Sequence, residues 1–190
     1  PIQVVIIPIP KPEPEIMLIA DQINDDLRAM GITVKIDNDE KNRPGFKFAE
    51  YEMKGIPVRV GIGKRDLENG VVEIARRDTK EKSQVPLEGV AQYIHNLLDD
   101  IQQNLFQRAL NYRAASTTNV ESVAELNEVL DTKGGFCLAH WDGTSETEEK
   151  IKEMTKATIR CIPDNSVLEE GKCILTGQPS KQRVIFARAY

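Results

Sequence analysis

Residues 43–79 carry the sequence RPGFKFAEYEMKGIPVRVGIGKRDLENGVVEIARRDT, in which predicted structural elements and candidate functional side chains lie close together. We expect a short helix from Phe46 to Lys54, which Gly55 ends. Two strands follow, PVRVGIG and VVEIARRD, and the intervening KRDLENG contains an Asn69–Gly70 pair that is typical of a tight turn. The stretch therefore predicts a helix followed by two strands that a turn connects.

The residues before this stretch predict a strand, a helix and a second strand. The strand QVVIIPI comes first; after PKPEPE, apolar residues recur every three or four positions from about Glu15 to Met30, and Gly31 caps the helix. The second strand is ITVKID. This order builds a parallel sheet with a covering helix. After residue 79, helical apolar spacing from Pro86 to about Ala114 predicts a long helix that closes the first domain.

The second part of the chain predicts a smaller domain. The polar residues AASTTNVES place a boundary near 114–120, which gives domains 1–115 and 116–190. Asn119 is a candidate N-cap for the helix VAELNEVLDTKGG, which Gly134–Gly135 ends. The remaining elements are the strand FCLAHW, the helix ETEEKIKEMTK and the strands ATIRCIP, KCILT and RVIFARAY. The pattern predicts a small α+β domain with mostly antiparallel pairing.

Composition limits the class of protein. Of the 190 residues, 40% are apolar and 29% are charged, and no apolar run approaches the ~18 residues that a membrane span needs. The net charge is −5, yet residues 41–82 hold eleven Lys/Arg against seven Asp/Glu, which predicts one locally basic face. On charge alone, a solvated face is favoured over a nucleic-acid site. Three cysteines form a sparse, odd set, which favours a reducing compartment, the cytoplasm, over a disulfide framework.

Three short patterns suggest chemistry, but a structural interpretation is favoured for each. The segment GIGKRD resembles part of a phosphate-binding loop but lacks the spaced glycine and the Ser/Thr after the lysine, so a strand end and tight turn is favoured. Cys137 and His140 could act as nucleophile and base, but side chains three apart on a strand point to opposite faces. His95 lies in the long helix without cysteine or carboxylate partners at ligand spacing, which favours a surface or interface position.

Rings and charges alternate in one part of the chain, at Phe46, Lys47, Phe48, Tyr51, Glu52, Lys54, Arg59 and Arg65. Aromatic rings stack on unpaired bases, Arg and Lys donate to guanine O6 and N7, and carboxylates accept from guanine N1 and N2. The alternative is that the rings are core and the charges are solvated. The residues alone leave both interpretations open.

Residues 43–79 closely resemble the anticodon-binding domain of the prolyl-tRNA synthetase family, and the ending GKCILTG…RVIFARAY resembles the extra C-terminal domain of its archaeal and eukaryote-like form. The resemblance extends over essentially the whole chain. It implies an α/β anticodon-binding domain of class II synthetases, with a mixed sheet of about five strands and flanking helices, followed by a small α+β domain. In enzymes that this chain resembles, the terminal tyrosine, here Tyr190, reaches toward the catalytic domain.

The resemblance also implies six anticodon-contacting residues: Phe48, Glu52, Arg59, Asp66, Lys80 and Lys82. By the family's motif, Phe48 stacks on an anticodon base, and Glu52 and Arg59 recognise the guanines that proline anticodons share. Asp66 assists them. The two lysines contact RNA phosphates or a base edge.

The C-terminal domain of this family often holds zinc through four cysteines, one pair after a tryptophan and one pair spaced C-x-x-C. This sequence has Asp142, Thr147, Cys173 and Thr176 where those ligands would stand. Because structural zinc needs four good nitrogen or sulfur donors, no zinc is expected. A rearranged site from Cys137, His140, Cys161 and Cys173 is disfavoured, since the first three lie on predicted strands where small apolar thiols are usually core.

The function that the resemblance implies is recognition of tRNA(Pro) within a cytoplasmic, homodimeric prolyl-tRNA synthetase, which joins proline to its tRNA with ATP. The class II catalytic domain, which binds ATP and magnesium, would precede Pro1. The lack of an initiator methionine fits a part of a longer chain and equally a processed or trimmed start. We expect tRNA(Pro) and the catalytic domain as partners, no cofactor in this part, no membrane association, and no ligase activity from this part alone. The alternative is a stand-alone RNA-binding or regulatory module derived from a synthetase.

Overall fold

The computed structural model describes residues 1–164 and 166–189. The expected placement of Tyr190 therefore lies outside the described residues. The chain divides into two compact units, Pro1–Gln107 and Arg108–Tyr190. Among the described residues, no helix combines the length and the apolarity needed to cross a membrane.

The first unit is built on a five-stranded mixed sheet. Its elements are β1 (Val4–Ile9), α1 (Pro14–Ala29), β2 (Val34–Ile36), α2 (Pro44–Met53), β3 (Val58–Gly63), α3 (Lys64–Glu68), β4 (Val71–Arg76), β5 (Lys82–Pro86) and α4 (Val90–Ala115), which continues into the second unit. The strand order is β2-β1-β3-β4-β5, with β1 parallel to both neighbours and the other pairs antiparallel. The predicted mixed sheet of about five strands with flanking helices is confirmed.

Alternation along β1 distributes the core between the two faces of this sheet. Val4 and Ile6 pack into a cluster with the apolar sides of α1 and α4. Val5 and Ile7 face the other way and pack with Tyr51 of α2 and its neighbours. Because all four strand residues are fully buried, each contributes about 1.5–3 kcal/mol of apolar burial. Helix α2 is therefore held on the face opposite to α1 and α4.

Two parts of the predicted first unit differ from the structure. The long helix begins at Val90 and not at Pro86, because residues 82–86 form β5, in which Val85 pairs with Val72. This strand has the sequence KSQVP, in which only Val85 is buried. Such a segment has no alternation of apolar and polar residues that would indicate a strand. Between β3 and β4, the short helix α3 precedes the predicted turn, where Gly70 adopts a φ of +67°.

The second unit has a four-stranded sheet covered by two helices. Its further elements are β6 (Thr117–Asn119), α5 (Val123–Thr132), β7 (Phe136–His140), α6 (Ser145–Thr155), β8 (Ala157–Cys161), β9 (Gly171–Lys172), β10 (Pro179–Ser180) and β11 (Arg183–Arg188). The strand order is β6-β7-β11-β8, and only β6 and β7 pair in parallel. Apolar residues of α5 and α6 pack on β7 and β11. The predicted α+β domain with mostly antiparallel pairing agrees with this arrangement.

Two local predictions for the second unit are wrong. Asn119 lies in β6, and the N-cap of α5 is Ser122, whose Oγ accepts from the Glu125 amide at 3.2 Å. The segment KCILT is not a strand beyond Lys172. Its chain reverses instead, since the Gly177 amide donates to the Cys173 carbonyl at 2.9 Å and Gly177 adopts a φ of +70°, which favours glycine.

Candidate nucleic-acid interface

A cleft of about 250 Å³ in the first unit, which we call the α2 cleft, brings rings and charges together. Its walls come from α2, β1, β3, β4, the segment after β4 and the start of β5. The lining residues are Val5, Phe48, Tyr51, Glu52, Ile56, Arg59, Ala75, Arg76, Arg77, Lys80 and Lys82. The cleft therefore has an apolar floor with cations and a carboxylate at its edges.

Five of the six residues matched to the family line the α2 cleft, and Asp66 does not. Asp66 lies in α3, where its Oδ2 accepts from the Gly63 amide at 2.9 Å. This carboxylate caps the short helix after β3. Lys80 and Lys82 are exposed at the cleft, with Lys80 Nζ 3.5 Å from Glu52 Oε1 and Lys82 Nζ 3.7 Å from Glu73 Oε1.

Arg59 and Phe48 form the central contact of the cleft. The guanidinium carbon of Arg59 lies 3.5 Å from the centroid of the Phe48 ring, a cation–π arrangement. Arg59 Nη2 also lies 3.4 Å from Glu73 Oε1. Burial lowers the pKa of Arg59 from its ordinary value, while the charges of Glu73 and Glu52 oppose that shift. The guanidinium is thus partly desolvated, which strengthens any hydrogen bond it donates.

The sequence predictions missed two arginines of the cleft. The side chain of Arg77 is exposed, and its Nε donates to the Glu52 carbonyl at 2.9 Å. Arg76 is engaged with carboxylates: its Nη2 lies 2.7 Å from Asp78 Oδ2, and its Nη1 lies 2.7 Å from Asp100 Oδ2. Hydrogen bonds from Arg76 lower the pKa of Asp78 to about 2. The Arg-Arg pair in ARRD was the sequence signal for both cations.

One side of α2 is anchored by a buried group of polar side chains, Asp37, Lys47 and Tyr51, which we call the Asp37 cluster. Lys47 Nζ lies 3.1 Å from Asp37 Oδ1 and donates to the Asp37 carbonyl at 3.0 Å. The Tyr51 hydroxyl donates to Asp37 Oδ2 at 3.0 Å. Burial raises the pKa of Asp37, but hydrogen bonds from Lys47, the Asp39 amide and Tyr51 outweigh burial and hold that pKa below its ordinary value.

The rings of this helix divide between the two interpretations that the sequence left open. Tyr51 is 3% exposed and belongs to the core, whereas Phe46 is 58% exposed. Phe48 lies between these extremes, half-buried at the cleft. Only Phe48 therefore combines a place in the cleft with contact to a cleft cation.

The remaining candidate patterns serve structure or lie elsewhere. The glycines of GIGKRD are in β3, and the amide of Gly63 is used by Asp66. His95 does have a carboxylate nearby, contrary to expectation, because Asp99 is one helical turn on with Oδ2 4.0 Å from His95 Nδ1. Cys137 is in the core of the second unit, as expected. Cys161 is exposed, contrary to the expectation that it is core.

The four positions matched to zinc ligands lie in the second unit, around Asp142. Thr147 and Thr176 each donate a hydroxyl hydrogen bond to Asp142 Oδ2 at 2.8 Å. Oδ1 accepts from the hydroxyl of Thr144 at 2.9 Å and from its amide at 3.1 Å. Burial raises the pKa of Asp142, but hydrogen bonds from the three threonines outweigh burial and lower that pKa to about 2. We call Asp142, Thr144, Thr147 and Thr176 the Asp142 cluster. Cys173 is buried in the adjoining turn.

Comparison with known proteins identifies the family. The family model described as "Anticodon binding domain" matches residues 3–97, and the model described as "Prolyl-tRNA synthetase, C-terminal" matches residues 123–190. The proline–tRNA ligase of Porphyromonas gingivalis strain W83 is 59% identical over 193 residues. The chain belongs to the prolyl-tRNA synthetase family. The resemblance noted in residues 43–79 and in the ending is thereby confirmed.

Further relatives agree in sequence and in structure. The proline–tRNA ligase of Cytophaga hutchinsonii is 56% identical over 193 residues. The crystal structure of prolyl-tRNA synthetase from Cryptosporidium parvum, complexed with L-proline and AMP, matches with a TM-score of 0.93 and 30% identity. Each of these alignments covers 100% of the chain, which spans 39% of the length of both ligases and 41% of the C. parvum chain.

Proposed function

We propose that the α2 cleft binds the anticodon loop of a proline tRNA. One observation carries the proposal: five of the six residues matched to anticodon-contacting positions of the prolyl-tRNA synthetase family line this single cleft. Single-stranded RNA is recognised by stacking on rings and by hydrogen bonds to base edges, and both kinds of group are present there. The cations of the cleft fit the polyanionic backbone of such a loop.

Each side chain has a role that its chemistry supports. Phe48 provides a ring for stacking, and Arg59 provides a fork of donors for guanine O6 and N7. Glu52 provides acceptors for guanine N1 and N2. The exposed ammonium groups of Lys80 and Lys82 neutralise phosphates, a contact that is independent of base identity.

The test is a binding titration with a labelled anticodon stem-loop of tRNA(Pro) and with the same loop after both guanines are replaced. We expect tighter binding to the guanine loop, and affinity for either loop that falls as salt rises. Phe48→Ala should weaken binding, whereas Phe106→Ala, which removes an exposed ring outside the cleft, should not. Equal affinity for the two loops would refute the proposed specificity.

Two further variants separate base recognition from phosphate contact. Arg59→Ala should remove about 1–3 kcal/mol of discrimination against the replaced guanine. Lys82→Ala should instead weaken both loops to a similar extent and reduce the salt dependence. If both variants change the two loops alike, the assignment of roles is wrong.

We propose further that the chain works within a proline–tRNA ligase: a cytoplasmic homodimer whose separate catalytic domain uses ATP and magnesium. The support is that relatives 51–59% identical to the chain carry the name proline–tRNA ligase. The test is an aminoacylation assay on the product of the complete gene, together with a measurement of its mass in solution, which tests the homodimer. A complete gene product without a class II catalytic domain would favour a stand-alone RNA-binding module instead.

A further inference from the structure

Helix α2 has two functional faces, and their orientations are coupled. Lys47 and Tyr51 are four residues apart and buried, with 4% and 3% of their surface exposed. Phe48 and Glu52 are also four residues apart, and both line the α2 cleft. Because residues four apart lie on one side of a helix, any rotation of α2 about its axis moves both pairs together.

The Asp37 cluster fixes this rotation against the sheet. Asp37 directly follows β2, and its amide donates to the Ile6 carbonyl of β1 at 2.9 Å. Its carboxylate and carbonyl then engage Lys47, and the same carboxylate accepts from Tyr51. Replacing a buried ion pair by an apolar pair is often neutral or stabilising, so we attribute to this pair a role in fixing the rotation of α2 and not a gain in stability.

We propose that Asp37 and Lys47 are positioning residues of the cleft, which hold α2 so that Phe48 and Glu52 face Arg59. The inference rests on the proposed anticodon binding. The Asp37 cluster would preserve the contact between Phe48 and Arg59, in which the guanidinium carbon lies 3.5 Å from the ring centroid. Neither Asp37 nor Lys47 lines the cleft, so they act on RNA only through α2.

The experiment compares variants of the Asp37 cluster on the two stem-loops. Lys47→Met removes the charge but keeps the apolar stem. Tyr51→Phe removes only the hydroxyl that is bonded to Asp37 and keeps the ring that lines the cleft. We expect Lys47→Met to lower the ratio of the two affinities by about tenfold, the loss of one well-oriented base contact. The affinity for the loop without guanines should fall less, since Lys80 and Lys82 still meet the phosphates and only stacking on Phe48 is impaired. Tyr51→Phe should give a smaller loss in the same ratio.

A matched control lies on the same helix. Glu50→Gln breaks the exposed Glu50–Lys54 pair and should leave the ratio unchanged. Circular dichroism checks that each variant is folded; if Lys47→Met is not, Tyr51→Phe decides on the same ratio. Folded variants that keep full discrimination would overturn the inference while leaving the proposed function intact. An unsubstituted chain that does not discriminate would overturn the proposed function, and the positioning role with it.

A second, independent observation concerns the positions matched to zinc ligands. Both oxygens of Asp142 already accept hydrogen bonds, two from Thr147 and Thr176 and two from Thr144. Zinc in structural sites is bound by thiolate and imidazole donors, whereas threonine hydroxyls are poor ligands. The residues present therefore do not fit the metal.

We infer that the Asp142 cluster takes the structural place of a zinc ion in the second unit. A zinc ion joins two chain segments through four ligands, and here Asp142 joins two segments through hydroxyls. Thr147 belongs to α6, and Thr176 belongs to the turn after β9. The connection between these segments is thus made by neutral donors to one carboxylate.

The test is unfolding in urea, followed by the fluorescence of Trp141, whose Nε1 donates to the Thr144 carbonyl at 3.0 Å. The midpoint should be the same with and without a chelator, and elemental analysis should find no stoichiometric zinc. The double variant Thr147→Val/Thr176→Val should lower the midpoint, and Thr132→Val, which removes a hydroxyl of α5, should have a smaller effect. Stoichiometric zinc, a midpoint that falls on chelation, or an unchanged double variant would each overturn the inference.

Discussion

Asp37 in the first unit and Asp142 in the second each connect distant segments through one carboxylate, but their donors and their burial differ. Asp37 is buried and accepts from an ammonium, a phenol and an amide. Asp142 is half-buried and accepts from three hydroxyls and an amide. Both arrangements hold the pKa of the carboxyl below its ordinary value.

The difference lies in what remains when the carboxylate is removed. Without Asp37, the ammonium of Lys47 stays buried and without its ion-pair partner, which is costly. Without Asp142, the hydroxyls of Thr144 and Thr176 are at the surface and can turn to water. A buried ion pair is therefore suited to fixing geometry beside a binding cleft, and a hydroxyl cluster to joining segments near the surface.

The largest expected effect is that of Asp37→Ala. We expect it to lower the free energy of unfolding of the first unit by about 3–5 kcal/mol, because it breaks a buried pair from one side. Hydrogen exchange of β1 and β3 amides, measured by mass spectrometry, reports on this unit separately from the second. A loss under about 1 kcal/mol would mean that water or another carboxylate reaches Lys47.

Asp142→Ala should have an intermediate effect. It removes the acceptor of four hydrogen bonds, and we expect a loss of about 2 kcal/mol because Thr147 is buried and left without that acceptor. The measurement is urea unfolding followed by Trp141 fluorescence. Asp131→Ala is the control, since it removes an exposed carboxylate of the same unit, paired with Arg188 at 2.6 Å. Equal losses for the two variants would contradict a special role for Asp142.

Acid should reduce the stabilisation of the second unit that Asp142 provides. Its folded pKa of about 2 lies below the ordinary 3.8, so the charged form is favoured in the folded state. The stabilisation is therefore fully present above pH 4 and is lost as pH falls from about 4 to about 2. Because the carboxylate is half-buried and screened by water, we expect about 1 kcal/mol. Asp142→Asn should flatten the Trp141-detected stability curve in this range, and an unchanged curve would refute the pKa shift.

The sequence predicted the fold where local signals were strong. Helix α1 has a continuous apolar face, and the Asn69–Gly70 turn needs the positive φ that Gly70 adopts. Local sequence patterns did not predict β5 and β6, which are short and mainly polar. These strands exist because a neighbouring strand pairs with each of them. Pairing between strands is a tertiary effect, so composition within such a segment does not indicate it.

The candidate site was predictable in most of its members, although Arg76 and Arg77 were missed and Asp66 lies outside the cleft, but not in their arrangement. Lys47 lies in α2 and Lys54 is the C-cap of the same helix, yet Lys47 is buried and Lys54 is exposed. The cause is Asp37, which lies ten residues before Lys47 and meets it only in the folded sheet. Likewise, nothing local to Asp142 indicates that Thr176, 34 residues later, donates to it. Sequence patterns identify groups capable of chemistry, and tertiary contacts decide which of them meet.

The smallest expected effect concerns the Glu50–Lys54 pair at the end of α2, in which Lys54 Nζ lies 2.5 Å from Glu50 Oε1. This distance is shorter than the 3.1 Å between Lys47 Nζ and Asp37 Oδ1. Distance alone would rank the former pair as the stronger one. Its side chains are, however, 32% and 53% exposed, so water screens the attraction and ordering the side chains offsets much of it. We expect Glu50→Gln to cost less than about 0.5 kcal/mol, and expect that cost to vanish in 1 M salt because the Debye length falls to about 3 Å. Urea midpoints measured at low and high salt test this expectation. A loss comparable to that of Asp37→Ala would show that geometry, and not burial, sets the strength of these pairs.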